Sequence, residues 1–379
     1  MKGSNRATAA RGSSGELGLA ELVAIGVGGM IGGGIFSILG LAVDVAGHAA
    51  PLAFGIGSAI AFAAGYSYVR LALTYRGDGA SFTYLERAFP RTPSIAGVAG
   101  WTVVFGYIGT LALYAFTFGA YASHLLGLDP SAFARAVLLG GALIFVAYEG
   151  FQLITNAVCE TRDPERTIPR GLFGSIAITS LIYMAVALVA VGNLDVASIH
   201  AAQEYALAAV AEPVLGRLGV VLVDVAAMLA TASAMNATIF GASHLAFEIA
   251  NDHLAPSAFS HRNRSGVPLP AAAAITLASI GLTAFGGLEL IASFSSLTFL
   301  LVSIAVCVAN FRLREQTRSS AVPIVVALIL MALTVALLLL YLAENDRGAL
   351  YFALSAYAGT GLSFLLFRVV AGRRRRTSE

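Results

Sequence analysis

Long apolar stretches alternate with short polar gaps along the whole chain. Ten stretches are long enough to cross a membrane: 18–43, 48–74, 94–126, 134–158, 171–193, 211–248, 268–287, 290–311, 322–343 and 348–370. A spanning helix needs about 20 mostly apolar residues, because it rises about 1.5 Å per residue across roughly 30 Å of hydrocarbon. Several stretches exceed that length, which predicts tilt, breaks or extension beyond the bilayer. Alternation over about ten residues does not recur, which argues against a transmembrane β-barrel. The pattern predicts an all-α integral membrane protein.

Composition agrees. Hydrophobic residues make up 58% and charged residues 12%, with a mean hydropathy of +0.82. Soluble domains run at about 45–50% and about 25%. A soluble enzyme, a disordered chain and a nucleic-acid binder are therefore excluded. Two cysteines, Cys159 and Cys307, leave no room for a disulfide scaffold or a four-thiolate metal site.

The placement of charge predicts orientation. With the N-terminus inside, Lys2, Arg6, Arg11, Arg70, Arg76, Arg87, Arg91, Arg162, Arg166, Arg170, Arg262, Arg264, Arg312, Arg314, Arg318, Arg368 and Arg373 to Arg376 fall in inner segments. That is 20 of the 23 basic residues, and only Arg135, Arg217 and Arg347 fall outside. Such a bias predicts an even helix count and both termini in the cytoplasm of a multi-pass cell-membrane protein. The first apolar stretch is too long for a cleavable signal. The Arg373–Arg376 run reads as a stop-transfer flank, with contact to anionic membrane lipid as the other use.

Residues 26–36, GVGGMIGGGIF, carry glycine at Gly26, Gly28, Gly29, Gly32, Gly33 and Gly34. Each costs a helix up to about 1 kcal/mol relative to alanine, so three in a row predict a break. Freed amides at the start of the second half-helix favour a carboxylate, and freed carbonyls of the first favour an ammonium. A zwitterion such as an α-amino acid matches both ends. Close helix packing through small-xxx-small spacing, Gly28–Gly32 and Gly29–Gly33, explains the glycines equally well. A second interruption is predicted at Phe145-Val146-Ala147-Tyr148-Glu149-Gly150-Phe151, where a carboxylate and a glycine sit in mid-span. Glu149 reads either as a proton carrier or substrate partner, or as a structural hydrogen-bond acceptor.

GMIGGGIF (Gly29–Phe36) resembles the first-helix signature of the amino acid–polyamine–organocation (APC) superfamily permeases, and AYEGF (Ala147–Phe151) the unwound part of their sixth helix. Glu160, Asp163-Pro164 and Ile168-Pro169-Arg170 resemble the loop that follows. GASFTYLERAF (Gly79–Phe89), Gly100-Trp101 and ASAMNATIFGASHLAFEIANDHLAP (Ala232–Pro256) match more loosely. The resemblance implies a LeuT-like fold of two inverted five-helix halves, with substrate near the midplane between the two broken helices. It implies amides of Ile31, Gly32, Gly33, Gly34 and Ile35 for a substrate carboxylate, and carbonyls near Ile25, Phe145 and Tyr148 for an ammonium. Gly150 belongs to the second break, and Phe151 would cover the site. The expected organisation is a tail at 1–17, a transporter core at 18–343, a last spanning helix at 344–370 and a basic tail at 371–379.

The family usually has about twelve helices, and this chain's pattern gives about ten. Between Gly127 and Ala136 there is no room for two more crossings. Ala136–Ala147 (AVLLGGALIFVA) can begin as a family fourth helix and finish as a sixth. In some relatives of this fold the fifth helix supplies a lysine that replaces a coupling sodium, and here the single lysine is Lys2. Three readings stay open: a shortened permease that functions, with oligomerisation as an aid; a deletion product that no longer transports; or a different helix count.

Asp224, inside VVLVDVAAM, reads as a proton relay or as a buried carboxylate bonded to a neighbouring helix. Ser233 and Asn236 fall where the resemblance places ion-binding hydroxyls in sodium-coupled relatives, with helix-to-helix bonds of about 0.6 kcal/mol as the simpler use. His48, His124 and His200 show no metal-ligand spacing, the resemblance places His244 where relatives often carry arginine, and Trp101 and Tyr107 read as packing residues of the third span or as residues near an interface. Glu160, Arg162, Asp163, Glu165 and Arg166 form either a gate of ion pairs or a solvated loop. No catalytic grouping, phosphate loop or cofactor motif is present, so the chain is not read as an enzyme. The expected function is alternating-access transport of a small amino acid or amine, coupled to protons or else to sodium. The alternative is a non-transporting remnant or interaction protein.

Overall fold

The computed structural model describes residues 17–76, 80–126, 151–202, 205–263 and 267–376. These form helices joined by short turns, and the only β feature among them is one isolated parallel bridge, Leu17 with Thr161. The predicted fourth span (134–158) lies mostly outside the described residues. So do Phe145, Tyr148, Glu149 and Gly150.

The first predicted span is two helices, α1 (Leu19–Ile31) and α2 (Gly34–Ala46), parted at Gly32-Gly33. Then come α3 (Ala50–Thr74), α4 (Ala80–Ala88) and α5 (Pro93–Leu126). Beyond Phe151 lie the short α6 (Gln152–Asn156), α7 (Pro164–Asn193), α8 (Val196–Ala201) and α9 (Ala206–Asn251). The chain continues through α10 (Leu269–Phe285), α11 (Leu288–Arg312), the single turn α12 (Arg314–Thr317), α13 (Ala321–Asn345) and α14 (Arg347–Arg376). Each boundary has a local cause. Helix α7 starts at Pro164, seven residues before its predicted start, because proline suits a first helical turn where no amide acceptor is needed. Helix α9 is bent at Gly216, whose φ of 59° lies in the left-handed region that a side chain resists.

Six helical stretches among the described residues are long and apolar enough to cross a membrane. Helix α5 runs through the middle of the bundle, with α9, α10 and α11 against it. Glycines on α5 allow the close approach: a Cβ at Gly106 would meet the Phe299 ring at 2.9 Å. On the other side α7 packs against both α1 and α3. Helix α13 is peripheral and turns Val322, Ile329, Leu333, Leu337 and Leu340 outward. In water so large an apolar face would drive association, whereas lipid receives it at no cost.

Two polar ties fix ends of the bundle. Asn310 joins α11 to α3 through Ser67 (3.2 Å) and accepts from Thr317 (2.9 Å) and Ser319 (3.0 Å). The start of α1 is held by the loop before α7, where the Arg162 amide donates to the Leu17 carbonyl at 2.9 Å. The predicted ion-pair gate in that loop reduces to Arg166 and Asp163, 3.9 Å apart and exposed, a pair that contributes about 0–1 kcal/mol.

Candidate functional site

The site grows from the interruption in the first span. The Gly32 amide still bonds the Gly28 carbonyl at 2.8 Å, so α1 closes normally and Ile31 stays inside it. Gly33 then leaves helical geometry (φ −136°, ψ −21°). The first bond of α2 runs from the Ser37 amide to the Gly33 carbonyl, 3.1 Å. Ahead of it, the amides of Gly34, Ile35 and Phe36 have no acceptor within the helix. Gly34 and Ile35, two of the five residues expected to present amides, lie in this first turn, and Phe36 joins them. Gly32 is already engaged, and Ile25 lies within the regular run of α1.

Three elements hold this break. From α5, the Tyr114 ring lies directly on Gly33, so that a Cβ there would fall inside the ring. From α9, Ala234 comes within 3.1 Å of where a Gly32 Cβ would sit. From α7, the Tyr183 hydroxyl donates to the Met30 carbonyl at 2.6 Å, satisfying one of the groups freed at the end of α1. Ser37 caps the join by bonding the Gly33 carbonyl at 2.5 Å and meeting the Thr117 hydroxyl of α5 at 2.6 Å. The glycines therefore serve both uses that the sequence left open. Gly32 and Gly33 are a break and a close contact together, whereas nothing lies within 4 Å of a Cβ built on Gly28.

The segment after the second motif comes up beside α1. Ile154 of α6 lies 2.5 Å from the position a Gly26 Cβ would take. Phe151 is fully buried and edge-on to Tyr68 of α3 at 5.3 Å, so the ring standing on Gly33 is Tyr114 and not Phe151. Two buried polar atoms on elements touching α1, Gln152 Nε2 of α6 and Thr179 Oγ1 of α7, have no hydrogen-bond partner among the described residues. Unmet capacity of this kind is uncommon in a native interior.

The ion-site candidates separate. Asp224 is fully buried on α9, where His124 of α5 meets both its carboxylate oxygens at 3.0 and 3.1 Å. Ser233 and Asn236 sit on the exposed face of α9, away from the Ala234 side that contacts Gly32. His244 bonds the carbonyl of Phe240 on its own helix at 2.9 Å. Sequence reasoning singled out neither Tyr114, Tyr183, Gln152 nor Thr179. The single signal for them was a polar side chain in an apolar span, which many residues share.

The profile of the amino acid permease family matches residues 129–370, and the chain belongs to that family. It is an all-α, multi-pass membrane transporter. It is 25% identical to an uncharacterized protein of Methanocaldococcus jannaschii, over 94% of this chain and 96% of the relative. It is 28% identical to an inner membrane transport protein of Escherichia coli, over 84% and 88%. It is 27% identical to a vacuolar cationic amino acid transporter of Arabidopsis thaliana, over 48% of this chain and 32% of that protein. The first alignment extends over 426 positions, yet 94% of 379 residues is about 356, so about 70 positions face no residue of this chain. The second, 389 positions against about 318 residues, leaves about 71. Two crossings with their connections would occupy a length of this order.

Proposed function

We propose that the protein moves a small amino acid or related amine across the membrane by alternating access, drawing on a proton gradient. The observation that carries this is the interrupted first span. The open amides of Gly34, Ile35 and Phe36 lie at the positive end of α2 and attract a carboxylate, as broken helices do in transporters. The carbonyl end of α1 lies two residues away and attracts an ammonium. Gln152 and Thr179 add polar atoms with unmet capacity on helices packed against α1. Tyr114 gives the site an aromatic wall, so the substrate that fits is small. The relatives named as amino acid transporters support the substrate class.

The coupling ion in this reading is the proton. Ser233 and Asn236, the hydroxyl and amide considered for sodium, are exposed on α9, and Ala234 is the α9 side chain beside Gly32. Asp224 remains as a carboxylate inside a span. The arginine bias supports both termini on the cytoplasmic face of the cell membrane. A second reading, a remnant that no longer transports, is favoured by the roughly 70 positions missing against two relatives.

Uptake of labelled amino acids into proteoliposomes separates the two. Transport predicts saturable uptake that follows an imposed pH gradient and disappears in Gly33→Leu, while the melting profile still shows a folded chain. The remnant predicts no uptake by the wild type and no thermal stabilisation by any amino acid in a broad panel, since a ligand that prefers the folded state raises its melting point.

A further inference from the structure

Away from the broken helix, the described residues hold a pair of titratable groups of which one is fully buried. Asp224 has no solvent exposure, although α9 around it is apolar and turns Leu222, Val225 and Leu229 outward. His124, two residues from the end of the described part of α5, presents Nδ1 to both carboxylate oxygens. The imidazole lies flat on Tyr205, with ring centroids 4.0 Å apart and planes at 15°. It keeps 26% of its surface exposed, so it is the member of the pair that is not sealed inside the bundle.

The pair is connected to the break. Tyr121 stands one turn before His124 on α5, fully buried. Its hydroxyl lies 3.4 Å from the Phe36 carbonyl, and its ring meets the Phe36 ring edge-on at 5.9 Å. Phe36 carries the third of the open amides of α2. Among the described residues, the titratable groups around Asp224 are His124 and Tyr121 from α5 and Tyr205 at the start of α9. Helix α2 contributes Phe36, and helix α10, LPAAAAITLASIGLTAF, has no titratable side chain.

We infer that His124 and Asp224 form the proton-binding site of the transporter, and that Tyr121 transmits its state to the substrate amides at Phe36. This rests on the transport reading above. With Nδ1–H donated to the carboxylate and Nε2 bare, the pair carries one negative charge. A proton from water on one side of the membrane forms the Nε2–H bond and makes the pair neutral. Release to water on the other side breaks that bond. A net charge held away from water costs several kcal/mol, whereas a neutral, hydrogen-bonded pair is far cheaper. The closed, dry state therefore requires the proton, and the empty pair requires an open, wetted one. That asymmetry is what ties proton movement to a conformational cycle.

The test uses the full chain, wild type against Asp224→Asn and His124→Gln. Two measurements are made: uptake of labelled amino acids into proteoliposomes, and potentiometric titration of the purified protein. For one proton per substrate, a one-unit pH gradient sustains up to about tenfold accumulation in the wild type. Both variants should lose gradient-driven accumulation and keep exchange of labelled for unlabelled amino acid across equal pH. The titration should lose one proton-binding step in His124→Gln, which has no imidazole there, and show that step displaced in Asp224→Asn, which keeps the imidazole without its carboxylate partner. Unchanged accumulation in Asp224→Asn, or a titration that matches wild type, overturns the proton site. Loss of exchange together with accumulation in both well-folded variants overturns it too, because it reports a structural tie. Tyr121→Phe supplies a variant that keeps the pair intact. It should keep the titration step and lower gradient-driven accumulation, and unchanged accumulation overturns the role given to Tyr121. A wild type that neither accumulates nor exchanges any amino acid sinks the transport reading instead, and the titration then still decides whether the pair binds a proton.

Discussion

Two glycines five residues apart should respond to the same substitution with opposite signs. At Gly33, alanine needs no unusual backbone, since φ is −136°. Its methyl group, however, falls inside the Tyr114 ring. That ring is 5% exposed, so it has little room to swing aside. Overpacking of this kind costs about 1–3 kcal/mol. At Gly28, inside α1, nothing lies within 4 Å of the added methyl. Alanine there gains about 0.4–1 kcal/mol through helix propensity and a less flexible unfolded chain. Thermal unfolding of the purified full chain in one detergent should move down by a few degrees for Gly33→Ala and slightly up for Gly28→Ala. Truncating the ring isolates the cause. In a Tyr114→Ala background, Gly33→Ala should be near neutral, giving a coupling of about 1–3 kcal/mol in the double-mutant cycle. Shifts of the same sign at both glycines, or a Gly33→Ala penalty undiminished in the Tyr114→Ala background, refute the geometry given for the break.

Other consequences follow from single contacts. Tyr183→Phe leaves the Met30 carbonyl without its 2.6 Å partner, which should cost about 1–3 kcal/mol in thermal unfolding and lower substrate-induced stabilisation, whereas Tyr66→Phe, at a turn, should not alter the ligand response. Ser37→Ala removes one bond between α2 and α5, so a loss of about 0.6 kcal/mol is expected, far below that of Tyr183→Phe in the same melt. Arg162→Pro deletes the amide that holds Leu17, and limited proteolysis should then cut ahead of α1 faster than in wild type. Asp195 lies in the turn before α8, and bonds from the Ser198 hydroxyl and amide hold its carboxyl below the ordinary value of 3.8. A lowered value means that the ionised cap contributes at all pH above the ordinary aspartate range and is lost as pH falls through the folded value. The protection of the Ser198 amide against hydrogen exchange, taken relative to its intrinsic rate, should therefore hold at neutral pH and fall as pH drops below the ordinary aspartate range, and Asp195→Ala should remove that dependence.

What could be read from the sequence was local. The bilayer fixes the length of every crossing, so a stretch such as Ala321–Asn345 declares itself by its own composition. The break at Gly32-Gly33 was legible for the same reason, because three adjacent glycines weaken a helix wherever it packs. Arginine placement set the expected orientation without any contact being known. The arrangement around the break was not legible. Tyr183 reaches Met30 across 153 residues, and His124 reaches Asp224 across 100. A helix that is apolar all round carries no stripe to say which face turns inward. Nothing in the sequence set the rotation of α9 that brings Ala234 against Gly32, or the packing that seats Phe151 on Tyr68 and Tyr114 on Gly33. Length, apolarity and glycine content belong to each segment alone and survive in the sequence. The rotation and register of one helix against another are decided only when all of them pack, so the rings and carboxylates that shape the site emerge from the tertiary structure.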